Sequence, residues 1–270
     1  MNPRTTSTGR PDHAGRRVRM AAAAVLGALC LGISGCSGTS PIEPAHAIAQ
    51  ADLGMQASAT TFANFPKAPQ DRAPNAETSG LVLHIKRDVA VHEAPGGAVF
   101  AKLPATQLKN PTWVPVIAEH GPWAQVLLPS RPNGATGWVR TDDQVERARS
   151  PYVVDVDIDA RRLVVREDGS AIGEWVVGVG APGSPTPRGR TFIMAAIEET
   201  VTKFSPIILP LGAHSDTFST YGGGPGTVAL HGWPDPAVFG QASSDGCVRV
   251  PDDALRLLTT LPLGTLVHLR

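Results

Sequence analysis

The sequence predicts a mainly β protein built as two consecutive units, and three observations lead there. Strand-length apolar runs recur from about residue 80 onward, and most are bounded by Gly, Pro, Asn or Asp. One stretch, residues 252–260, carries clear marks of a helix, and residues 45–59 carry weaker ones. Helices and strands do not alternate along the chain, which excludes a doubly wound sheet.

Residues 1–36 read as an export signal. Arg16, Arg17 and Arg19 form a basic start, and residues 20–33 are apolar and small but too short to span a bilayer. Ile33-Ser34-Gly35-Cys36 closes the segment with small residues. This resembles the bacterial lipobox, which implies that Cys36 is acylated as the new N-terminus and that Cys30 is removed. The expectation is an exported lipoprotein on the outer face of the cell membrane, lipid-anchored and facing the cell wall. Residues 37–79 contain Pro41, Pro44, Pro66, Pro69 and Pro74 without sustained periodicity and read as a flexible linker. A free chain of that length reaches roughly 35–40 Å, at about 5–6 Å × √n.

Residues 80–149 form the first β unit. Leu81-Val82-Leu83-His84-Ile85, Val89-Ala90-Val91-His92, Trp113-Val114-Pro115-Val116-Ile117 and Trp123-Ala124-Gln125-Val126-Leu127 read as strands. Asn133-Gly134 is a hairpin signal, and Gly137-Trp138-Val139 closes the unit. Strands, a Pro-Asn-Gly turn and Gly-Trp-Val together resemble a small bacterial SH3-like barrel, which implies either binding of cell-wall peptides or a spacer role. Residues 150–270 form the second unit. Period-two alternation over 153–159, a hairpin at Asp168-Gly169 and strands over 172–179, 191–197, 227–231 and 265–269 give it its β character. Its helix has Pro251 before it, Asp252 and Asp253 in its first turn, and Leu255, Leu257 and Leu258 available to pack. With its own strands, helix and turns, this unit is expected to fold alone.

The chain has 24 basic and 24 acidic residues. Loss of residues 1–35 leaves 19 basic against 23 acidic groups, a net of −4. No basic stripe is present, so nucleic acid is not an expected partner. No Cys/His spacing fits zinc, and neither metal nor cofactor is expected. A monomer is expected. Cys247 is the only thiol outside the signal, on a chain read as exported. Exported proteins normally pair their cysteines, so it is either a small buried hydrophobe or a nucleophile.

The surrounding residues favour the nucleophile. Cys247 follows His231 by sixteen positions and sits in Ser244-Asp245-Gly246-Cys247-Val248-Arg249. A thiol is mostly protonated at neutral pH, so a neighbouring imidazole that takes its proton creates the reactive thiolate. We assign that role to His231. Gly246 lets the backbone approach closely, so that the N–H of Cys247 and its neighbours can cradle an oxyanion. Arg249 offers a planar fork that either binds a carboxylate or pairs with an acidic loop residue. Tyr221, among Gly222, Gly223, Gly224 and Gly226, is either a substrate-facing or a packing residue.

His231-Gly232 and the Ser244–Arg249 motif resemble the signature of the YkuD-type L,D-transpeptidase catalytic domain. So does Gly178-Val179-Gly180 leading into Pro185-Thr186-Pro187-Arg188-Gly189. The resemblance covers about residues 150–270. It implies a β-sandwich or barrel and an enzyme that cleaves peptidoglycan stem peptides before a terminal D-alanine. The acyl group then passes through a cysteine thioester to an amine, cross-linking the wall. It also implies that the Gly232 carbonyl orients His231, and that carbapenems fit the site. Many members carry His immediately before Gly-Cys where this chain has Asp245, whose charge is expected to raise the thiol pKa unless the side chain points away. A sortase would not place Cys247 and Arg249 so close together, and an NlpC-type peptidase orders Cys before His. Two alternatives stay open: an L,D-carboxypeptidase that trims stem peptides, and a non-catalytic wall-binding lipoprotein.

Overall fold

Alternation of apolar and polar residues in the first unit produces a sheet of seven antiparallel strands, beside a short pair formed by Thr106–Gln107 and Asn110–Pro111. The computed structural model describes residues 50–221 and 223–270. The expected signal, Cys30, Cys36 and residues 37–49 of the expected linker lie outside the described residues. The seven strands stand in the spatial order Val99–Leu103, Val89–His92, Thr136–Arg140, Trp123–Leu127, Trp113–His120, Leu81–Ile85, Val145–Arg149. Leu83, Ile85, Val91, Leu103, Val114, Val126 and Val139 bury their side chains in its core. Strands Trp123–Leu127 and Thr136–Arg140 pair with Leu127 opposite Thr136, so their connection runs over residues 128–135 and is longer than the tight turn that Asn133-Gly134 signals.

The second unit is a two-layer β sandwich. One layer orders Ser170–Val176, Arg162–Glu167, Tyr152–Asp157, Leu266–Leu269 and Gly189–Phe192. The other orders Ile197–Glu198, Ile207–His214, Thr227–His231 and Val248–Arg249. Val154, Val156, Leu163 and Val165 of the first meet Leu209, Leu211, Val228, Leu230 and Val248 of the second. The helix Asp252–Leu258 adds Ala254, Leu255 and Leu258 to the same core. Asp168 and Gly169 take φ of +45° and +81°, as the two central positions of a type I′ hairpin require.

Strand Ile207–His214 escaped sequence reading because Pro206 and Pro210 argue against a strand there. The structure accommodates Pro210 where the ladder to Thr227–His231 shifts register. The Pro210 carbonyl accepts from the Met194 N–H at 2.8 Å.

For the described part of the expected flexible linker, the structure corrects the expectation. Over residues 57–76 the chain is fastened along both units. The Ala59 N–H donates to Lys102 O at 2.7 Å, Phe65 N–H to Arg131 O at 2.8 Å, and Asp71 N–H to Gly134 O at 2.8 Å. Ala59 and Ala68 are buried, and Phe65 meets Phe100 edge-on at 5.6 Å. Arg190 of the sandwich holds Asp71 through Nε to Oδ2 (2.6 Å) and Nη2 to Oδ1 (2.8 Å), while Nη1 donates to Ala76 O (2.9 Å). A Pro-rich segment without periodicity satisfies its backbone groups on other elements, and local pattern carries no trace of that. The expected independence of the second unit also meets a shared core. Phe192, Met194 and Leu266 of the sandwich belong to the buried cluster of the first unit, and residues from 50 onward cluster as one compact body.

Candidate active site

Strand Thr227–His231 sends Val228 and Leu230 into the sandwich core, which leaves Thr227, Ala229 and His231 on the opposite face. Its parallel neighbour pairs Leu230 with Val248 and His231 with Arg249. Val248 and Val250 are buried in the core, so Cys247 and Arg249 come to the face that carries Ala229 and His231. This face floors a cleft of about 580 Å³ lined by Thr227, Ala229, His231, Trp233, Cys247 and Arg249, with Tyr221, Ser244, Asp245 and Phe204 around them.

The Cys247 loop is held from behind. Gly246 has φ +114°, a conformation that side-chain-bearing residues rarely adopt. The Ser244 hydroxyl donates to Cys247 O at 2.6 Å and accepts the Gly246 N–H at 3.2 Å. The upstream segment is the support. Thr186 Oγ1 donates to Gly246 O and accepts the Gly180 N–H, both at 2.9 Å, and Ser184 Oγ donates to Ser244 O at 3.0 Å. Val179 and Gly180 pair in parallel with Ala242 and Ser244. Gly178 exchanges two 2.8 Å bonds with Arg249, and a Cβ there would stand 2.8 Å from Val238 O.

His231 is buried, and its Nδ1–H donates to Gly232 O at 2.7 Å. That bond leaves Nε2 as the ring's free acceptor. The Gly232 N–H is held by Ser205 Oγ at 2.8 Å, and Ser205 in turn donates to Ile207 O at 2.6 Å. Phe204 packs edge-on to the imidazole at 5.0 Å. Burial lowers the His231 pKa below its ordinary 6.5, with the Arg249 charge adding to the effect and the Gly232 bond opposing it. Burial raises the Cys247 pKa above its ordinary 9.0; the Ala229 backbone and Arg249 oppose that shift, while Asp245 adds to it.

Asp245 is exposed at the cleft edge, and its charge ranks behind burial in raising the Cys247 pKa. Its neighbour is Tyr221, whose phenol pKa is raised by burial first, then by a hydrogen bond to Asp245 and its charge. Arg249 stacks on Trp233, with its guanidinium carbon 3.9 Å from the ring centroid, and reaches Ser243 O and Oγ at 3.4 Å. Among the described residues Arg249 makes no ion pair, and its buried Nε has no hydrogen-bond partner. The acidic loop partner, one of its two expected roles, is therefore absent there. Among the described residues, no group of three or more His, Cys, Asp or Glu side chains is placed to hold a metal.

The structure thus brings His231, Cys247, Arg249, Ser244, Asp245 and Tyr221 to one cleft, with Gly232 and Gly246 behind it. Cys36 lies outside the described residues. Sequence reading missed Trp233, Phe204 and Ser205, and it named Thr186 within the upstream motif without a role. Trp233 alone had a signal, since it continues the period-two series of Ala229 and His231.

The family model for the L,D-transpeptidase catalytic domain, YkuD, matches residues 151–269. Over 118 residues the chain is 28% identical to the protein named "Putative L,D-transpeptidase YkuD" of Bacillus subtilis, covering 43% of this chain and 65% of that one. The protein of the same name from Bacillus licheniformis is 28% identical over 120 residues, at 44% and 66% coverage. The chain therefore spans just under two thirds of the length of these curated relatives. Among solved structures it is similar to that of Bdellovibrio bacteriovorus Bd1075, at 25% identity and a TM-score of 0.36, covering 45% of this chain and 48% of that one. The family match begins at Pro151, so it is the sandwich with its Cys–His cleft that is similar to the L,D-transpeptidase catalytic domain.

Proposed function

We propose that this protein is a peptidoglycan L,D-transpeptidase that works through a Cys247 thioester. The observation that carries the proposal is the meeting of Cys247 and His231 in one cleft, with Nδ1 of His231 fixed on Gly232 and Nε2 left to accept a proton. The raised thiol and lowered imidazole pKa values favour a neutral pair at rest, so the proton moves as Sγ attacks. Sγ adds to the carbonyl before the terminal D-alanine, and His231 takes the thiol proton. Because the Gly246 N–H is held by Ser244, the Cys247 N–H is the amide assigned to the oxyanion. Collapse of the adduct breaks the C–N bond, the departing amine takes the proton from His231, and the thioester remains. An acceptor amine then attacks the thioester carbonyl and gives a proton to His231; the C–S bond breaks and that proton returns to Sγ of Cys247. Arg249, without an acidic partner among the described residues, is assigned to a substrate carboxylate.

Incubation with a disaccharide tetrapeptide, followed by mass analysis, tests the reading. A cross-linked dimer is expected with the wild type and none with Cys247→Ala. Loss of D-alanine without dimer would favour the carboxypeptidase, and an unchanged tetrapeptide would leave a wall-binding lipoprotein.

The pH profile tests the base. With the His231 pKa lowered, neutral imidazole persists into mild acid, and activity is lost only as pH falls through that lowered value. The acid limb of kcat/KM is therefore expected below pH 6.5, the ordinary imidazole value. A midpoint at or above it would remove His231 from this role.

The lipoprotein and the SH3-like unit complete the proposal. Acylation at Cys36 would tether the chain to the outer face of the membrane, with wall peptides as its partners. A fatty-acid probe fed to cells is expected to label the wild type and not Cys36→Ala. Label retained in that variant would discard the anchor and leave the chemistry standing.

A further inference from the structure

The connection over residues 128–135 of the first unit reaches into the loop that carries Tyr221. Arg131 Nη1 donates to Ser215 O at 3.1 Å, and Nη2 donates to Phe218 O at 2.9 Å and Pro225 O at 3.0 Å. Asn133 grips the neighbouring backbone, its Nδ2 donating to His214 O at 2.7 Å and its Oδ1 accepting the His214 N–H at 2.8 Å. The loop closes on the guanidinium so tightly that a Cβ on Gly226, at φ +73°, would stand 2.2 Å from Phe218 O and 3.1 Å from Arg131 Nη2. Three loop carbonyls thus find their donor in another unit, and unmade bonds of that kind are costly when buried. Beyond this clamp Phe218 packs near Tyr221, ring centroids 6.0 Å apart, and Tyr221 lines the catalytic cleft beside Asp245.

We propose that Arg131 is a positioning residue that fixes the Tyr221 wall of the cleft, making the first unit part of the peptide-binding site and more than a spacer. The proposal rests on the transpeptidase reading for its substrate. The planar fork of Arg suits it to three diverging carbonyls; a Lys at this position offers three donors from a single point and serves fewer of them. His231 stands on a sandwich strand and Cys247 on the loop just before another, and Arg131 donates to neither, so the chemistry itself is expected to survive its loss.

The test uses the full chain with Arg131→Ala and the milder Arg131→Lys. In Arg131→Ala the KM for the disaccharide tetrapeptide is expected to rise about tenfold, the scale of a lost charge-assisted bond, with a smaller change in kcat. Alkylation of Cys247 by iodoacetamide is expected at the wild-type rate, and guanidinium chloride well below denaturing concentration is expected to restore part of the KM. Chymotrypsin should cut after Phe218 or Tyr221 faster in both variants, a readout that needs no turnover. Should Arg131→Ala not fold, Arg131→Lys is read by the same KM and proteolysis. A KM and a cutting rate both at wild-type values would overturn the proposal, as would alkylation falling in step with peptide use. A wild type that cuts slowly in the loop but never turns over the peptide would instead sink the transpeptidase reading.

Discussion

Intact-protein mass spectrometry after meropenem exposure is expected to show a single covalent adduct on the wild type and none on Cys247→Ala. On the proposed mechanism the thiolate opens the strained β-lactam in the same way as the stem peptide: Sγ joins the ring carbonyl, the C–N bond breaks, and the ring nitrogen takes the proton that His231 received from the thiol. His231→Ala keeps the thiol and removes the acceptor, so acylation is expected to slow by about 10²–10⁴-fold, the range for a general base. Burial makes this dependence acute, because it holds the Cys247 proton on and leaves little standing thiolate. Arg249→Ala is expected to impair peptide use more than drug acylation, since its guanidinium on Trp233 is assigned to a substrate carboxylate. An adduct on Cys247→Ala, or none on the wild type, would take the nucleophile assignment away.

The largest effect on stability is expected at Asp71. Asp71 and Arg190 expose only 2% and 4% of their side chains, and they meet in a two-point contact between the segment once read as linker and the sandwich. Removal of one member leaves the other charged in a dry site, which costs about 3–5 kcal/mol. Asp71→Ala is therefore expected to lower the urea midpoint strongly. The pair of changes Asp71→Leu with Arg190→Met should recover much of the loss, because a buried ion pair replaced by apolar side chains is often neutral. A loss below about 1 kcal/mol for Asp71→Ala, the range of exposed pairs, would show that the contact is solvated.

Both effects turn on what the sequence could and could not reveal. Its local patterns determined the mainly β character, the Asp168-Gly169 hairpin and the one substantial helix, because period-two burial, positive φ and helix-end residues are written into neighbouring positions. The meeting of Cys247 and His231 in one cleft was legible too, through the motif residues that surround them. Only the tertiary structure decided that Cys247, Arg249, His231 and Trp233 share one face, for parallel pairing of Leu230 with Val248 sets that register. It alone assigned Thr186 and Ser184 to the back of the Cys loop, sixty residues away. It turned residues 57–76 from a tether into a strap held by Arg190, and turned Asn133 from a hairpin signal into a clamp on His214. The reason is common to all of these. A backbone carbonyl or a carboxylate has no sequence periodicity, and the partner that satisfies it is chosen by whichever surface the finished fold brings within hydrogen-bond reach.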